Sequence, residues 1–158
     1  MRFRTFGRTG WSVSEIGFGA WQIGGGWGKV DDNQSIGTLL YAFEKGINFV
    51  DTAQMYGLGH SEEVIGRALR EWRGGKIYVA TKAQPVIWPD PGDDNPPMRG
   101  RYPSWHLRDN VENSLKRLHV DRSGFASPIR RMLASATMNP AASSSPNITS
   151  LPKSPDTV

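Results

Sequence analysis

A carboxylate, a phenol and an amine lie close to the ends of two short apolar segments of this sequence. Asp51 ends the segment 47–51, Tyr56 follows it by five residues, and Lys82 directly follows the segment 77–81. A phenol with an ordinary pKa of about 10 transfers a proton near neutrality only beside a cation that favours the phenolate. Lys82 can supply that cation, and Asp51 can hold the lysine in place. Taken singly, the aspartate is better explained as a turn former and the lysine as a solvated strand end. Taken together, the three residues also fit a proton-transfer site, and on spacing alone both interpretations stay open.

Three short segments predict the strands that would position these groups. Residues 15–19, 47–51 and 77–81 are rich in β-branched and aromatic residues and are too short for helices. Helical patterns follow each of them, and such alternation is typical of a parallel sheet covered by helices. The carboxyl ends of parallel strands meet at one edge, where ligands usually bind. The acid, the phenol and the amine are therefore expected to converge at that edge.

The spacing of apolar residues predicts three helices between and after the strands. The first is capped by Asp31 or Asp32 and stops at Gly46, the second begins at Ser61, and the third begins near Ser104. The apolar faces comprise Ile36, Leu39, Leu40 and Phe43 in the first helix, Val64, Ile65, Ala68, Leu69 and Trp72 in the second, and Leu107, Val111, Leu115 and Leu118 in the third.

Two further regions frame this pattern. Residues 2–6 and 11–14 flank the segment 7–10 (GRTG) and predict a β-hairpin before the first strand. The connection 84–103 carries six prolines, and loops of this length are usually functional lids or disordered segments.

Composition excludes several classes of function. The chain has no cysteine, which excludes disulfides, cysteine metal sites and cysteine nucleophiles, and no metal is expected. Its net charge is +4, yet residues 1–121 hold 15 Lys and Arg against 14 Asp and Glu, so the basic excess lies in residues 122–158. We therefore expect no nucleic-acid partner. Without a signal peptide or an apolar run of about 20 residues, a cytoplasmic protein with no membrane partner is predicted.

The glycine-rich segments do not fit the common phosphate-binding motifs. Ile23 and Val30 occupy positions where a P-loop built on Gly28 and Lys29 would need glycine and serine or threonine. The segment 17–22 (GFGAWQ) ends in glutamine where a dinucleotide fingerprint needs glycine.

Several motifs, in the order that one family shows, resemble the aldo/keto reductases over residues 1–121. The resemblance is nearest to the bacterial-type and potassium-channel β-subunit branch. It is carried by residues 7–10 (GRTG) with 13–14 (VS), 17–24 (GFGAWQIG), 48–57 (NFVDTAQMYG), 59–69 (GHSEEVIGRAL), 79–82 (VATK) and 110–118 (NVENSLKRL).

The resemblance implies a fold, a reaction and a cofactor. The fold would be part of a (β/α)₈ TIM barrel: an α/β arrangement of the hairpin plus about three βα units. The reaction would be NADPH-dependent reduction of a small-molecule aldehyde or ketone, with Tyr56 protonating the carbonyl oxygen, Lys82 favouring its phenolate and Asp51 orienting Lys82. Asp51 also belongs to the implied cofactor site, together with Gly19, Ala20 and Trp21, which would line the nicotinamide and substrate mouth.

The fourth member of the family's catalytic set, a histidine, has no match here. The segment 122–128 departs from the family pattern where that residue would stand. His119 is expected at the opposite end of the barrel, His60 is expected to cap a helix or be solvated, and His106 is expected at the surface. Residues elsewhere in the family that hold the carboxamide and adenosine phosphate are also unmatched, so weak or no NADPH binding by the chain alone is expected.

Residues 122–158 are predicted to form a low-complexity tail after a barrel domain of residues 1–121. Eighteen of the 36 residues 123–158 are Ser, Pro or Ala, a composition typical of disorder, with one short helix possible over 127–136. Two hypotheses stay open: a reductase, or a non-catalytic truncated, splice-variant or misread product that at most binds a full-length partner. Coding sequence for a fourth strand ending in histidine, found in another frame or a later exon, would favour the second. The sequence sets no oligomeric state.

Overall fold

A computed structural model of the 158-residue chain describes residues 1–26, 28–88 and 100–120. Within these ranges a hairpin precedes three strand–helix units. The strands of the described chain are β1 (Phe3–Thr5), β2 (Ser12–Ser14), β3 (Phe18–Gly19), β4 (Phe49–Asp51) and β5 (Tyr78–Ala80). The helices are α1 (Asp32–Glu44), α2 (His60–Glu71) and α3 (Ser104–Leu118), and short 3₁₀ turns lie at Gly7–Thr9 and Gln22–Gly24.

The predicted hairpin is confirmed, and it covers the amino ends of the sheet. β1 pairs antiparallel with β2, and Gly10 takes the left-handed conformation (φ 74°) that closes the turn. The hairpin rings pack on the sheet: Phe6 lies 5.4 Å from Phe49 and Trp11 lies 5.0 Å from Tyr78 between ring centres. The opposite, carboxyl end of the sheet is therefore left for the site.

β3, β4 and β5 form a parallel sheet, as predicted, and each strand pairs with the next along the chain, with Gly19 opposite Asp51 and Asp51 opposite Ala80. Each strand is shorter than predicted. The largest difference is in β3, which begins at Phe18 because Glu15 belongs to the hairpin, where its N–H donates to the Arg2 carbonyl at 3.0 Å.

The three helices begin and end close to their predicted bounds. The Asp31 side chain caps α1 by accepting from the Gln34 N–H at 2.8 Å, and Gly46 after its end is left-handed (φ 89°). α2 begins one residue before the predicted Ser61, and α3 begins at Ser104 as predicted.

The helices pack on the sheet through a cluster of buried apolar side chains. Close approach of α2 and α3 depends on Gly66, because a methyl group there would lie 2.3 Å from the Arg117 carbonyl oxygen. The cluster consists of Ala20, Ile23, Ile36, Leu39, Phe43, Val50, Val64, Ile65, Ala68, Val111, Leu115 and Leu118.

Several sequence predictions concern residues outside the described ranges. These are the tail 122–158, its boundary after residue 121, and the middle of the connection 84–103. Within the described ranges, no helix has the length and apolar content needed to cross a membrane. The same residues contain no group of three or more histidine and acidic side chains placed to hold a metal ion.

Candidate active site

The structure brings Asp51, Tyr56 and Lys82 together at the carboxyl edge of the sheet. The Lys82 Nζ donates to the Asp51 carboxylate, to the Thr52 carbonyl oxygen at 2.9 Å and to the Tyr56 hydroxyl at 3.3 Å. Because the hydroxyl accepts from the ammonium, its own proton stays available for donation elsewhere. This arrangement is a phenol in contact with a cation that a carboxylate and a carbonyl hold in place.

The charge on Lys82 is favoured by its surroundings. Partial burial lowers the pKa of the ammonium, but its hydrogen bonds to Asp51 and Tyr56 and the charge of Asp51 outweigh this, so the pKa is raised above its ordinary value of 10.5. Lys82 is therefore a cation throughout the neutral range. The side chains of Asp51 and Lys82 are each 51% exposed, so a ligand can reach the pair from solvent.

The turn that carries Tyr56 is fixed by close contact between two glycines. A methyl group on Gly24 would lie 2.5 Å from the Tyr56 carbonyl carbon, and one on Gly57 would lie 2.6 Å from the Gly24 carbonyl oxygen. Gly57 is also left-handed (φ 66°), a conformation that glycine adopts without steric cost. Only glycine at both positions lets the segment after β3 support the backbone of Tyr56.

Of the three residues predicted to line the mouth, two are exposed and one is buried. Gly19 is exposed at the end of β3, and Trp21 is 53% exposed with its ring centre 6.4 Å from that of Tyr56. Ala20 is completely buried in the apolar cluster, so its side chain lies in the core. Ala20 directly follows Gly19, the last residue of β3, and neighbouring residues of an extended chain point to opposite sides.

The histidines occupy other positions. His60 Nε2 lies 2.9 Å from an Asp32 carboxylate oxygen, a contact between the starts of α2 and α1. The surface role predicted for His106 is wrong: it is half-buried, and its Nε2 lies 2.7 Å from the Gln84 carbonyl oxygen. His119 follows α3 in the left-handed conformation (φ 53°).

The sequence pattern did not identify the side chains that support the site from behind. In the sequence Ser61 marks only the predicted start of α2, yet Ser61 and the next residue, Glu62, are both completely buried. They bond to Thr52 and Thr81, which adjoin Asp51 and Lys82 in the chain. The sequence does hold one indication of these contacts: two polar residues lie in the first turn of α2, and a threonine stands at each of the two strand ends that carry Asp51 and Lys82.

The family model for the aldo/keto reductase family matches residues 15–125. The chain belongs to the aldo/keto reductase family. It is 38% identical over 123 residues to aldo-keto reductase YhdN of Bacillus subtilis and 34% identical over 123 residues to a probable voltage-gated potassium channel β subunit of Arabidopsis thaliana, covering 77% of this chain and 35% of each relative. The expected branch of the family is thereby confirmed.

Solved aldo/keto reductases share its fold. The glycerol dehydrogenase of Gluconobacter oxydans superposes with a TM-score of 0.55 at 38% identity, covering 75% of this chain and 35% of that one. An aldo-keto reductase of Klebsiella pneumoniae in complex with NADPH superposes with a TM-score of 0.57 at 27% identity, covering 76% of this chain and 36% of that one. The predicted partial (β/α)₈ barrel is thus confirmed. The chain spans about a third of the length of these family members, 35% for the first two curated relatives.

Proposed function

We propose that Asp51, Tyr56 and Lys82 form the proton-transfer part of a carbonyl reductase site that uses NADPH. The observation that carries the proposal is the contact of one ammonium with both the Tyr56 hydroxyl, at 3.3 Å, and the Asp51 carboxylate. A phenol so placed can give up a proton because the phenolate left behind faces a fixed positive charge.

Each side chain has a separate role in the proposed reaction. Tyr56 donates its hydroxyl proton to the oxygen of an aldehyde or ketone as the carbonyl is reduced to an alcohol. Lys82 stabilises the resulting phenolate. Asp51 and the Thr52 carbonyl hold the lysine so that its charge points at the hydroxyl. When bound, NADPH supplies the hydride that reduces the carbonyl carbon.

The open backbone at Gly19 and the exposed ring of Trp21 support a cofactor ring at the mouth of the proposed site. A methyl group on Gly19 would meet no atom within 4 Å, so the backbone there is open to a ligand. The exposed Trp21 ring stands on the same side as Tyr56. Gly19, Trp21 and the exposed Asp51 would contact the nicotinamide end. The NADPH complex of the Klebsiella pneumoniae relative supports the choice of cofactor, and a small-molecule aldehyde or ketone is the proposed substrate.

The fourth catalytic residue of the family, a histidine, and the contacts to the adenosine phosphate are proposed to come from outside residues 1–121. The resemblance implies them, and the segment 122–128 does not match that pattern. The chain by itself is accordingly expected to bind NADPH weakly, measured by fluorescence titration; a low-micromolar or tighter dissociation constant would contradict this.

A graft tests the proposed reaction. Residues 1–121 are joined to the later part of the Bacillus subtilis relative, to which this chain is 38% identical. The graft is expected to reduce a small aldehyde with NADPH, because the first part supplies the proton donor and the second the remaining contacts. A graft that folds and binds NADPH without reducing any small aldehyde or ketone would falsify the proposal.

A further inference from the structure

Two consecutive side chains at the start of α2 bond to the neighbours of the site residues. Ser61 is completely buried; its hydroxyl donates to the Ala20 carbonyl at 2.9 Å and lies 3.0 Å from the Thr52 hydroxyl. Ala20 precedes Trp21, and Thr52 follows Asp51. Ser61 thus ties the ends of β3 and β4 to the helix.

Glu62 does the same for β5. Its carboxylate is completely buried and accepts from the Thr81 hydroxyl at 2.6 Å and from the Arg117 Nε at 2.6 Å. Arg117 is itself only 18% exposed, so the ion pair lies inside the protein, between α2 and α3. Thr81 directly precedes Lys82.

The two threonines face α2 because neighbouring residues of an extended chain point to opposite sides. Thr52 is completely buried against the helix, whereas the adjacent Asp51 is exposed at the site. Thr81 meets Glu62, whereas the adjacent Lys82 meets Asp51 and Tyr56. The helix therefore holds two strand ends from behind while their next residues form the site in front.

A buried carboxylate is a poor means of stabilising a fold, because it must be removed from water. Removing a charge from water costs several kcal/mol, and well-packed apolar residues in place of a buried ion pair are often neutral or stabilising. An apolar side chain at position 62 could not bond to Thr81, however. Both Glu62 oxygens are used, one on β5 and one on α3, which favours a role in position over a role in stability.

We propose that Ser61 and Glu62 are positioning residues that set the separation between Asp51 and Lys82. They act through Thr52 and Thr81 and touch neither substrate nor cofactor. The importance of this role for catalysis rests on the proposed function. The positioning itself does not, because it is measured on the Lys82 amine in the absence of cofactor and substrate.

The principal test is Thr81→Val in the full 158-residue chain. Valine keeps the shape of threonine and leaves the Glu62–Arg117 charges in place, so any effect on Lys82 comes from position and not from a lost charge. Titration followed by carbon-13 NMR of labelled lysine, with Lys82 assigned from Lys82→Arg, is expected to show its pKa falling toward the ordinary value as the contact with Asp51 loosens. Thr38→Val is the matched control, since the Thr38 hydroxyl bonds within α1 to the Gln34 carbonyl at 2.8 Å.

If Thr81→Val does not fold, a second variant and its control test the same proposal. Ser61→Ala is expected to lower the Lys82 pKa in the same direction. Ser35→Ala, which removes another buried serine from the first turn of a helix, is expected to leave it unchanged. Circular dichroism reports the fold of each variant. An unchanged Lys82 pKa in a folded Thr81→Val or Ser61→Ala chain overturns the proposal. Unfolding of both variants with both controls folded overturns it as well, because the pair would then serve stability alone.

Discussion

Tyr56 and Tyr41 both have a lysine ammonium beside the ring, and the two pairs differ in what else the ammonium touches. Lys82 Nζ lies 5.1 Å from the centre of the Tyr56 ring, and Lys45 Nζ lies 4.9 Å from that of Tyr41. Lys82 also donates to the Tyr56 hydroxyl and to Asp51. Within the described part of the chain Lys45 makes no salt bridge, and Tyr41 is 61% exposed on α1.

Only the Lys82 ammonium can act on the proton of the tyrosine hydroxyl: the Tyr41–Lys45 pair is a surface contact, whereas the Tyr56–Lys82 pair is suited to proton transfer. A lysine over an exposed ring gains about 0.5–1 kcal/mol from the attraction between its charge and the ring, and it does not act on the hydroxyl proton. An ammonium bonded to the hydroxyl, and anchored by a carboxylate, favours the charged form that proton donation leaves behind. Tyr41 and Lys45 are neighbours on one helix face, whereas Tyr56 and Lys82 meet only because two parallel strands end side by side. Matched variants of the two pairs therefore isolate the chemistry.

Lys82→Met in the graft is expected to have a large effect on the rate. Loss of the ammonium removes the positive charge that faces the Tyr56 phenolate after proton donation, so kcat falls by about tenfold or more, a part of the roughly 10²–10⁴-fold that general acid catalysis contributes. Lys45→Met is the control and is expected to leave kcat unchanged. An unchanged kcat in a folded, NADPH-binding Lys82→Met graft would contradict the role of Lys82.

Asp51→Asn is expected to have a smaller effect of the same kind. The amide still fills the site, but it lacks the charge that holds the ammonium, so kcat falls by about threefold to tenfold. Asp32→Asn removes a carboxylate at the start of α1 that pairs with His60 and Arg67 of α2. It is expected to cost some stability and leave kcat unchanged. A rate loss at Asp32 matching that at Asp51 would show that the effect is not local to the site.

Gly24→Ala is expected to destabilise the chain, because the added methyl group would lie 2.5 Å from the Tyr56 carbonyl carbon. Overpacking of this kind costs about 1–3 kcal/mol in the free energy of unfolding. Gly37→Ala is the matched control: its methyl group meets no atom within 4 Å on α1, so the helix gains about 0.5–1 kcal/mol. Denaturant titration measures both changes, and opposite signs are predicted. A neutral Gly24→Ala would show that the two glycines do not hold the Tyr56 turn.

The smallest effect concerns stability at alkaline pH. The pKa of Lys82 is raised on folding, so its contribution to stability is fully present below the ordinary value of 10.5 and is lost as the pH rises through the folded value. The difference in unfolding free energy between the parent chain and Lys82→Met is therefore expected to be constant near neutrality and to shrink at high pH. If this difference in unfolding free energy instead grows as the pH rises above neutrality, the conclusion that folding raises the Lys82 pKa would be wrong.

Much of this arrangement could be predicted from the sequence because it follows from local rules. A strand end predicts where Asp51 and Lys82 lie, and a capping aspartate with Gly46 predicts both ends of α1. β3 is shorter than predicted because Glu15 belongs to the hairpin, through a backbone hydrogen bond to Arg2 at the open end of the hairpin that spacing alone does not reveal.

The parts that could not be predicted are contacts between residues far apart in the chain. Glu62 meets Arg117 across 55 positions, and the approach of Gly24 to Gly57 depends on how two loops pack. The burial of Ala20 likewise depends on the helices that cover the sheet. Such contacts depend on tertiary packing, which local propensity does not encode.

Comparison of Tyr56→Phe with Tyr41→Phe in the graft tests the central claim most directly. Phenylalanine removes only the hydroxyl, so Tyr56→Phe is expected to lower kcat by about 10²-fold or more, the scale of general acid catalysis, with little change in NADPH affinity. Tyr41→Phe is expected to match the parent in both. A folded, NADPH-binding Tyr56→Phe graft with an unchanged kcat would contradict the assignment of Tyr56 as the proton donor.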